Sequence, residues 1–175
     1  VEKSEVDVPD VQGIDDDRIY ASARNSLESM IARDVLFREA SPCFYLYRQV
    51  MDGRAQYGLV AGVSVAEYEA GLIRKHELTR ADKEVERIRH VDAVNAHTGP
   101  VFIVYRGREA VNALLAHVAG GSPEYDFIAD DGIGHTVWVI RDPGTAADLR
   151  REFAQVEALY IADGHHRAAA AAAVA

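Results

Sequence analysis

Between Asp16 and Arg33 the apolar residues fall at Ile19, Ala23, Leu27, Met30 and Ile31. That three-to-four spacing predicts an amphipathic helix over 16–33. Asp15, Asp16 and Asp17 place carboxylates at its N-terminus, where they complement the helix dipole. The fourteen residues before it are acidic, contain Pro9 and Gly13, show no period, and read as an extended arm over 1–14. From Cys43 the pattern changes to aromatic and β-branched residues, with strands over 43–50 and 55–65 on either side of Asp52-Gly53. An Asp-Gly pair between two such runs signals a hairpin. Gly58 and Gly62 in the second strand hint at a bulge or a close backbone approach.

Further along, a short helix is expected over 66–73 and a largely polar one over 80–96, with Thr79 and Asp82 as an imperfect capping box. Val85, Ile88, Val91 and Val94 form the apolar stripe of the second. Thr98-Gly99-Pro100 stops it and a buried strand follows over 101–105. A helix over 108–119 ends at Gly120-Gly121, and a second hairpin pairs 125–129 with 135–140 across Asp130-Asp131-Gly132-Ile133-Gly134. A helix over 143–156, opened by Thr145 and Asp148, precedes a last strand over 159–162 and a final alanine-rich helix. Mixed helices and strands with hairpins imply an α/β (α+β) fold with a mixed sheet and flanking helices.

With 175 residues the chain is read as a single domain, 1–175. It starts at Val1 and stops inside a helix with no terminating signal, so it is also read as a piece of a longer protein. The net charge of −9 makes nucleic acid an unlikely partner, because binding to it needs a basic footprint. The one cysteine, Cys43, excludes an internal disulfide and a multi-cysteine zinc site. No apolar run reaches the roughly 20 residues of a membrane span, and no leader pattern opens the chain. Cytoplasm is the default compartment, with no membrane partner.

Four polar clusters carry candidate chemistry. The first is Asp163-Gly164-His165-His166-Arg167, between a buried strand and a helix start. Glycine allows a sharp turn and close approach to a ligand. The helix N-terminus offers free N–H groups, and Arg167 offers a fork-shaped donor, so the turn suits an anion such as a nucleotide phosphate. His165 and His166 add donors. A metal site from Asp163, His165 and His166 is disfavoured because adjacent histidines point apart, and no metal ligands are assigned. The second cluster, Lys75-His76-Glu77-Leu78-Thr79-Arg80, holds Glu77 as a candidate general base, with Lys75, His76 and Arg80 placed to bind or stabilise phosphate. The third is Asn95-Ala96-His97-Thr98-Gly99-Pro100, a polar turn at a strand mouth, from which Asn95 and Thr98 are candidate ligand contacts. In the fourth, Asp130 and Asp131 near His135 either hold Mg²⁺ or form a plain hairpin turn.

The stretches CFYLYRQVMDGRAQYGLVAGVSVAEY, IRKHELTRADKEVERIRHVDAVNAHTGPVFIVY, DGIGHTVWVI and YIADGHHRAAAA resemble the family called domain of unknown function 1015. That resemblance implies a longer protein and brings no established activity. More distantly, Gly164-His165-His166-Arg167 resembles the G-x-x-R box of the ParB/sulfiredoxin superfamily, which implies a similar C-terminal strand–turn–helix that binds nucleotide phosphate. His165 stands where sulfiredoxins carry a cysteine, so their reductase chemistry is not expected. No helix-turn-helix reader of the partition-protein kind follows the box. The free-serine kinases carry an Asp-Gly-His type box, which Asp163-Gly164-His165 resembles. Glu77 as their acidic catalytic residue is assigned from its setting and not from a motif. Together these imply a nucleotide-binding, phosphotransferase-like domain that acts on a small metabolite. Asp163, Glu77 and Arg80 would serve catalysis, with ATP or ADP and Mg²⁺ as cofactors. A non-catalytic nucleotide sensor and a nucleotide hydrolase are the alternatives.

Overall fold

In the computed structural model, which describes residues 1–11 and 15–175, the chain divides into two compact units. Unit 1 gathers Val1–Arg38, Ser64–Tyr105 and Ala158–Ala175, and unit 2 gathers Glu39–Val63 and Arg106–Glu157. The fold is α+β, with one mixed and one antiparallel sheet.

Unit 1 opens with a 3-10 turn at Ser4–Asp7, inside the arm expected over 1–14. Gln12, Gly13 and Ile14 of that arm lie outside the described residues. Helix α1 (Asp17–Ala32) begins where Asp16 accepts a hydrogen bond from the Arg18 amide, so the middle carboxylate of the acidic triplet is the cap. Buried Ile19, Tyr20 and Ala23 lie on its inner face, and α1 packs on α3.

The unit's later helices are α2 (Val65–Glu69), capped by Ser64, and α3 (Ala81–Val94). Thr79 does not cap α3. Its hydroxyl donates to the Glu84 carboxylate instead, and the N-cap position belongs to Arg80. Asn95 ends α3 in the left-handed region at φ 50°.

In unit 2, β1 (Phe44–Met51) and β2 (Arg54–Val60) form the first hairpin. Asp52 and Gly53 both have positive φ, 51° and 74°, as a two-residue type I′ turn requires. Gly58 makes no bulge: it pairs with Tyr47 in an unbroken register, and no atom crowds the space a Cβ would fill. Gly62 lies beyond the strand, which stops at Val60.

Within unit 1, Ile73–Arg74 forms the short strand β3 and Phe102–Val104 the strand β4. Back in unit 2, helix α4 (Glu109–Ala119) leads to β5 (Tyr125–Ile128) and β6 (Gly134–Ile140), completing the antiparallel sheet β2-β1-β6-β5. Helix α5 (Pro143–Phe153) is opened by Asp142, which accepts from the Thr145 amide, with Pro143 behind it. Thr145 and Asp148 are therefore not its cap. Leu46, Trp138, Ile140, Val111 and Leu149 fill the core, and the Trp138 indole donates to the Gly121 carbonyl at 3.0 Å.

The chain ends in unit 1 with β7 (Leu159–Asp163) and α6 (His165–Val174). β7 is the centre of the sheet β3-β7-β4, parallel to β3 and antiparallel to β4. Ile161 in β7 is buried, α6 packs against α3, and Ala170 of α6 is fully buried because its methyl group allows close contact. No described helix is long and apolar enough to cross a membrane.

Leu46 is wholly enclosed in the middle of β1. Leu46→Ala is expected to cost about 2–5 kcal/mol through lost burial and the cavity left behind. A urea unfolding curve with an unchanged midpoint would contradict this packing.

Candidate functional site

The site is built on the end of β7. Gly164 turns the chain from strand to helix at φ +93°, a conformation that costs an L-residue about 1–2 kcal/mol. The turn delivers the N-terminus of α6 with no side-chain cap, and the first helical bond runs from the Ala168 amide to the Gly164 carbonyl. The amides that open a helix have no partner within it, and the dipole makes that end favourable for negative charge.

Arg167 folds back over this turn. Its guanidinium donates to Asp163 Oδ2 at 2.5 Å, one helical turn away. A Cβ on Gly164 would lie 2.9 Å from Arg167 Nε, and one on Gly99 would lie 3.0 Å from Arg167 Cδ. Arg167 thus rests against two bare glycine backbones, and the Thr98-Gly99 turn is brought to the Asp163–Arg167 turn.

The Lys75–Arg80 loop is tied to the same place. His76 Nδ1 lies 2.9 Å from the Ile161 carbonyl in β7. Glu77 Oε1 lies 3.3 Å from Nδ1 of His165, whose ring is buried. The Arg80 amide donates to His166 Nε2 at 3.1 Å, so the second histidine satisfies the amide that enters α3. His165 and His166 therefore do face different partners. Lys75 Nζ stands 4.3 Å from the Tyr68 ring centre in a cation–π contact. The Arg80 guanidinium pairs with Asp82 at 2.7 Å, and that hydrogen bond holds the Asp82 carboxyl below its usual range.

Not every candidate reaches the turn freely. The Thr98 hydroxyl donates to Glu2, which also pairs with Arg87 at 2.9 Å. Asn95 serves as the left-handed end of α3. Asp130 and Asp131 belong to unit 2, where Asp131 accepts from the Ile133 amide in a tight turn and His135 contacts the Tyr47 hydroxyl at 2.5 Å. Among the described residues the only group of three potential metal ligands is His76, Glu77 and His165. The sequence reading placed these residues in one site as phosphate contacts and a base, but did not group them as metal ligands, because Glu77 and His165 are 88 positions apart. Two hollows of about 690 and 600 Å³ flank α1, and neither includes the turn.

The site is thus an uncapped helix start beside a strand end in an α+β fold, with an arginine resting on a glycine notch. The chain belongs to the family Protein of unknown function (DUF1015), whose model matches residues 1–175. No curated protein and no solved structure matches it.

Gly164→Ala is expected to destabilise the protein by about 1–2 kcal/mol. Most of the loss should persist in an Arg167→Ala background, because backbone conformation and not the movable guanidinium carries it. Full recovery in the double variant, measured by urea unfolding, would assign the cost to the contact.

Burial works to raise the Glu2 pKa, but the Thr98 hydrogen bond and the attraction of His90 and Arg87 outweigh it, leaving the group below its ordinary 4.5. A depressed carboxyl stabilises the fold above pH 4.5, and that contribution disappears as pH falls through the folded value. Glu2→Gln should therefore lose roughly 0.2–1 kcal/mol at neutral pH, the scale of a solvent-screened pair. The difference from the parent should vanish in strong acid, as read by thermal melts across pH.

Proposed function

We propose that this is a nucleotide-binding, phosphotransferase-like domain acting on a small metabolite. The observation that carries the reading is the Asp163–Arg167 turn, where Gly164 presents uncapped helix amides and Arg167 lies over them. Phosphate oxygens of ATP or ADP would take those amides and the Arg167 guanidinium. Lys75 and Arg80, in the loop tied to the turn, would supply further cations on leaving Tyr68 and Asp82, and Mg²⁺ would bridge the phosphates in the same reading. Glu77, half exposed beside His165, is the acceptor-activating base, with Asp163 as the other carboxylate in reach. The likeness of Gly164–Arg167 to the G-x-x-R box supports the same ligand.

A sensor without turnover is the second reading, and one observation favours it. Both candidate bases are already engaged, Asp163 by Arg167 and Glu77 by His165. A nucleotide hydrolase would use the same cradle.

Titration calorimetry with ATP, ADP and CTP tests the cradle. Arg167→Ala should weaken the best nucleotide at least about 10-fold, the scale of one charge-assisted bond. Unchanged affinity removes the proposal. Incubation with a metabolite pool then separates the readings: new phosphate esters that disappear with Glu77→Ala indicate transfer, and free phosphate alone indicates hydrolysis. Binding without either product indicates the sensor.

A further inference from the structure

Three potential ligands meet where the Lys75–Arg80 loop passes the start of α6. One ligand atom each from His76, Glu77 and His165 lies within 4.8 Å of the others. The 3.3 Å between Glu77 Oε1 and His165 Nδ1 matches the ligand–ligand edge of a tetrahedral ion with bonds of about 2.0–2.1 Å. The His76 and His165 rings stand nearly perpendicular, at 89°, with centroids 4.4 Å apart.

Two further details distinguish this group from an ordinary ion pair. The Ile161 carbonyl can only accept, so the His76 nitrogen facing it, Nδ1, carries a proton. In the neutral ring Nε2 then keeps its lone pair, and an Nδ1–H to carbonyl bond of this kind is how proteins orient metal-binding histidines. The second detail is His165. Its side chain is 3% exposed, so the core holds Nδ1, the atom 3.3 Å from Glu77 Oε1, in a fixed position.

The geometry points to a binding site for a first-row divalent cation at His76, Glu77 and His165. Two imidazoles and a carboxylate suit Zn²⁺ and its neighbours, whereas Mg²⁺ and Ca²⁺ take oxygen ligands. With three protein ligands and a half-exposed carboxylate, a fourth position stays open for water or a ligand oxygen. His165 directly follows Gly164, so that open position adjoins the turn. The inference does not depend on nucleotide binding.

The test uses chelator-stripped protein, without nucleotide, titrated with Zn²⁺ by calorimetry and with Co²⁺ by visible absorption. One ion per chain is expected, with Co²⁺ giving the strong ligand-field bands of a four-coordinate site. His76→Ala and Glu77→Gln, both on exposed side chains, should each weaken binding at least about 10-fold while the circular dichroism spectrum stays unchanged. His165→Ala, at a buried position, is read only alongside these two. Absence of stoichiometric binding would overturn the proposal. So would affinity indifferent to both exposed substitutions, which would assign the ion to others of the seven histidines. Nucleotide affinity measured in chelator is a separate readout, so either inference can fail without the other.

Discussion

The left-handed turn at Gly164 is the constraint on which the arrangement of unit 1 depends. β7 lies between β3 and β4, so its direction is fixed by pairing on both sides. α6 packs against α3, so its direction is fixed by side-chain contact. One residue must reconcile the two, and it does so at φ +93°. The absent Cβ then has a second use, because it leaves the space in which the Arg167 guanidinium lies. A single glycine thus joins strand and helix and opens the notch above the helix amides.

The polar segments around that turn are ordered by satisfying groups that regular structure leaves unpaired. His76 reaches a carbonyl of the central strand, and His166 takes the amide that leads into α3. Ile161 is buried, where an unmatched carbonyl is expensive, so His76 holds the loop by a bond the fold would otherwise need from elsewhere. The consequence is division of labour among the histidines. His166 secures α3, His76 secures β7, and His165 is left facing Glu77 from within the core.

Local chemistry was the legible part of the sequence. Asp52-Gly53 announced a hairpin because a type I′ turn needs two residues that tolerate positive φ, and the run DGHHR announced a strand-to-helix turn. Caps were harder, since Thr79 and Thr145 were plausible acceptors but Arg80 and Asp142 occupy the cap positions. The two-residue strand β3 was not legible, because it exists only by parallel pairing with β7, far along the chain. That same pairing draws the Lys75–Arg80 loop to the turn. The His76–Glu77–His165 group was hidden for this reason: its members were each noticed, but the distance between them belongs to the sheet and not to any local spacing.

Arg167 and Asp163 set the terms on which an anion would enter. The pair is an i,i+4 contact on the solvent side of α6, with the carboxylate far more exposed than the guanidinium. A solvent-screened pair of this kind contributes at most about 1 kcal/mol, so it is an inexpensive partner to displace. An incoming phosphate brings more charge than a carboxylate and can also accept from helix amides that Asp163 does not engage. Exchange of Asp163 for phosphate on Arg167 would then be favourable, and it would release a carboxylate beside the bound group. On the proposed reading, the same bond that closes the notch in the free protein would be a source of specificity. A weak, singly charged anion would gain too little to replace Asp163, whereas a phosphate would gain both the guanidinium and the end of the helix.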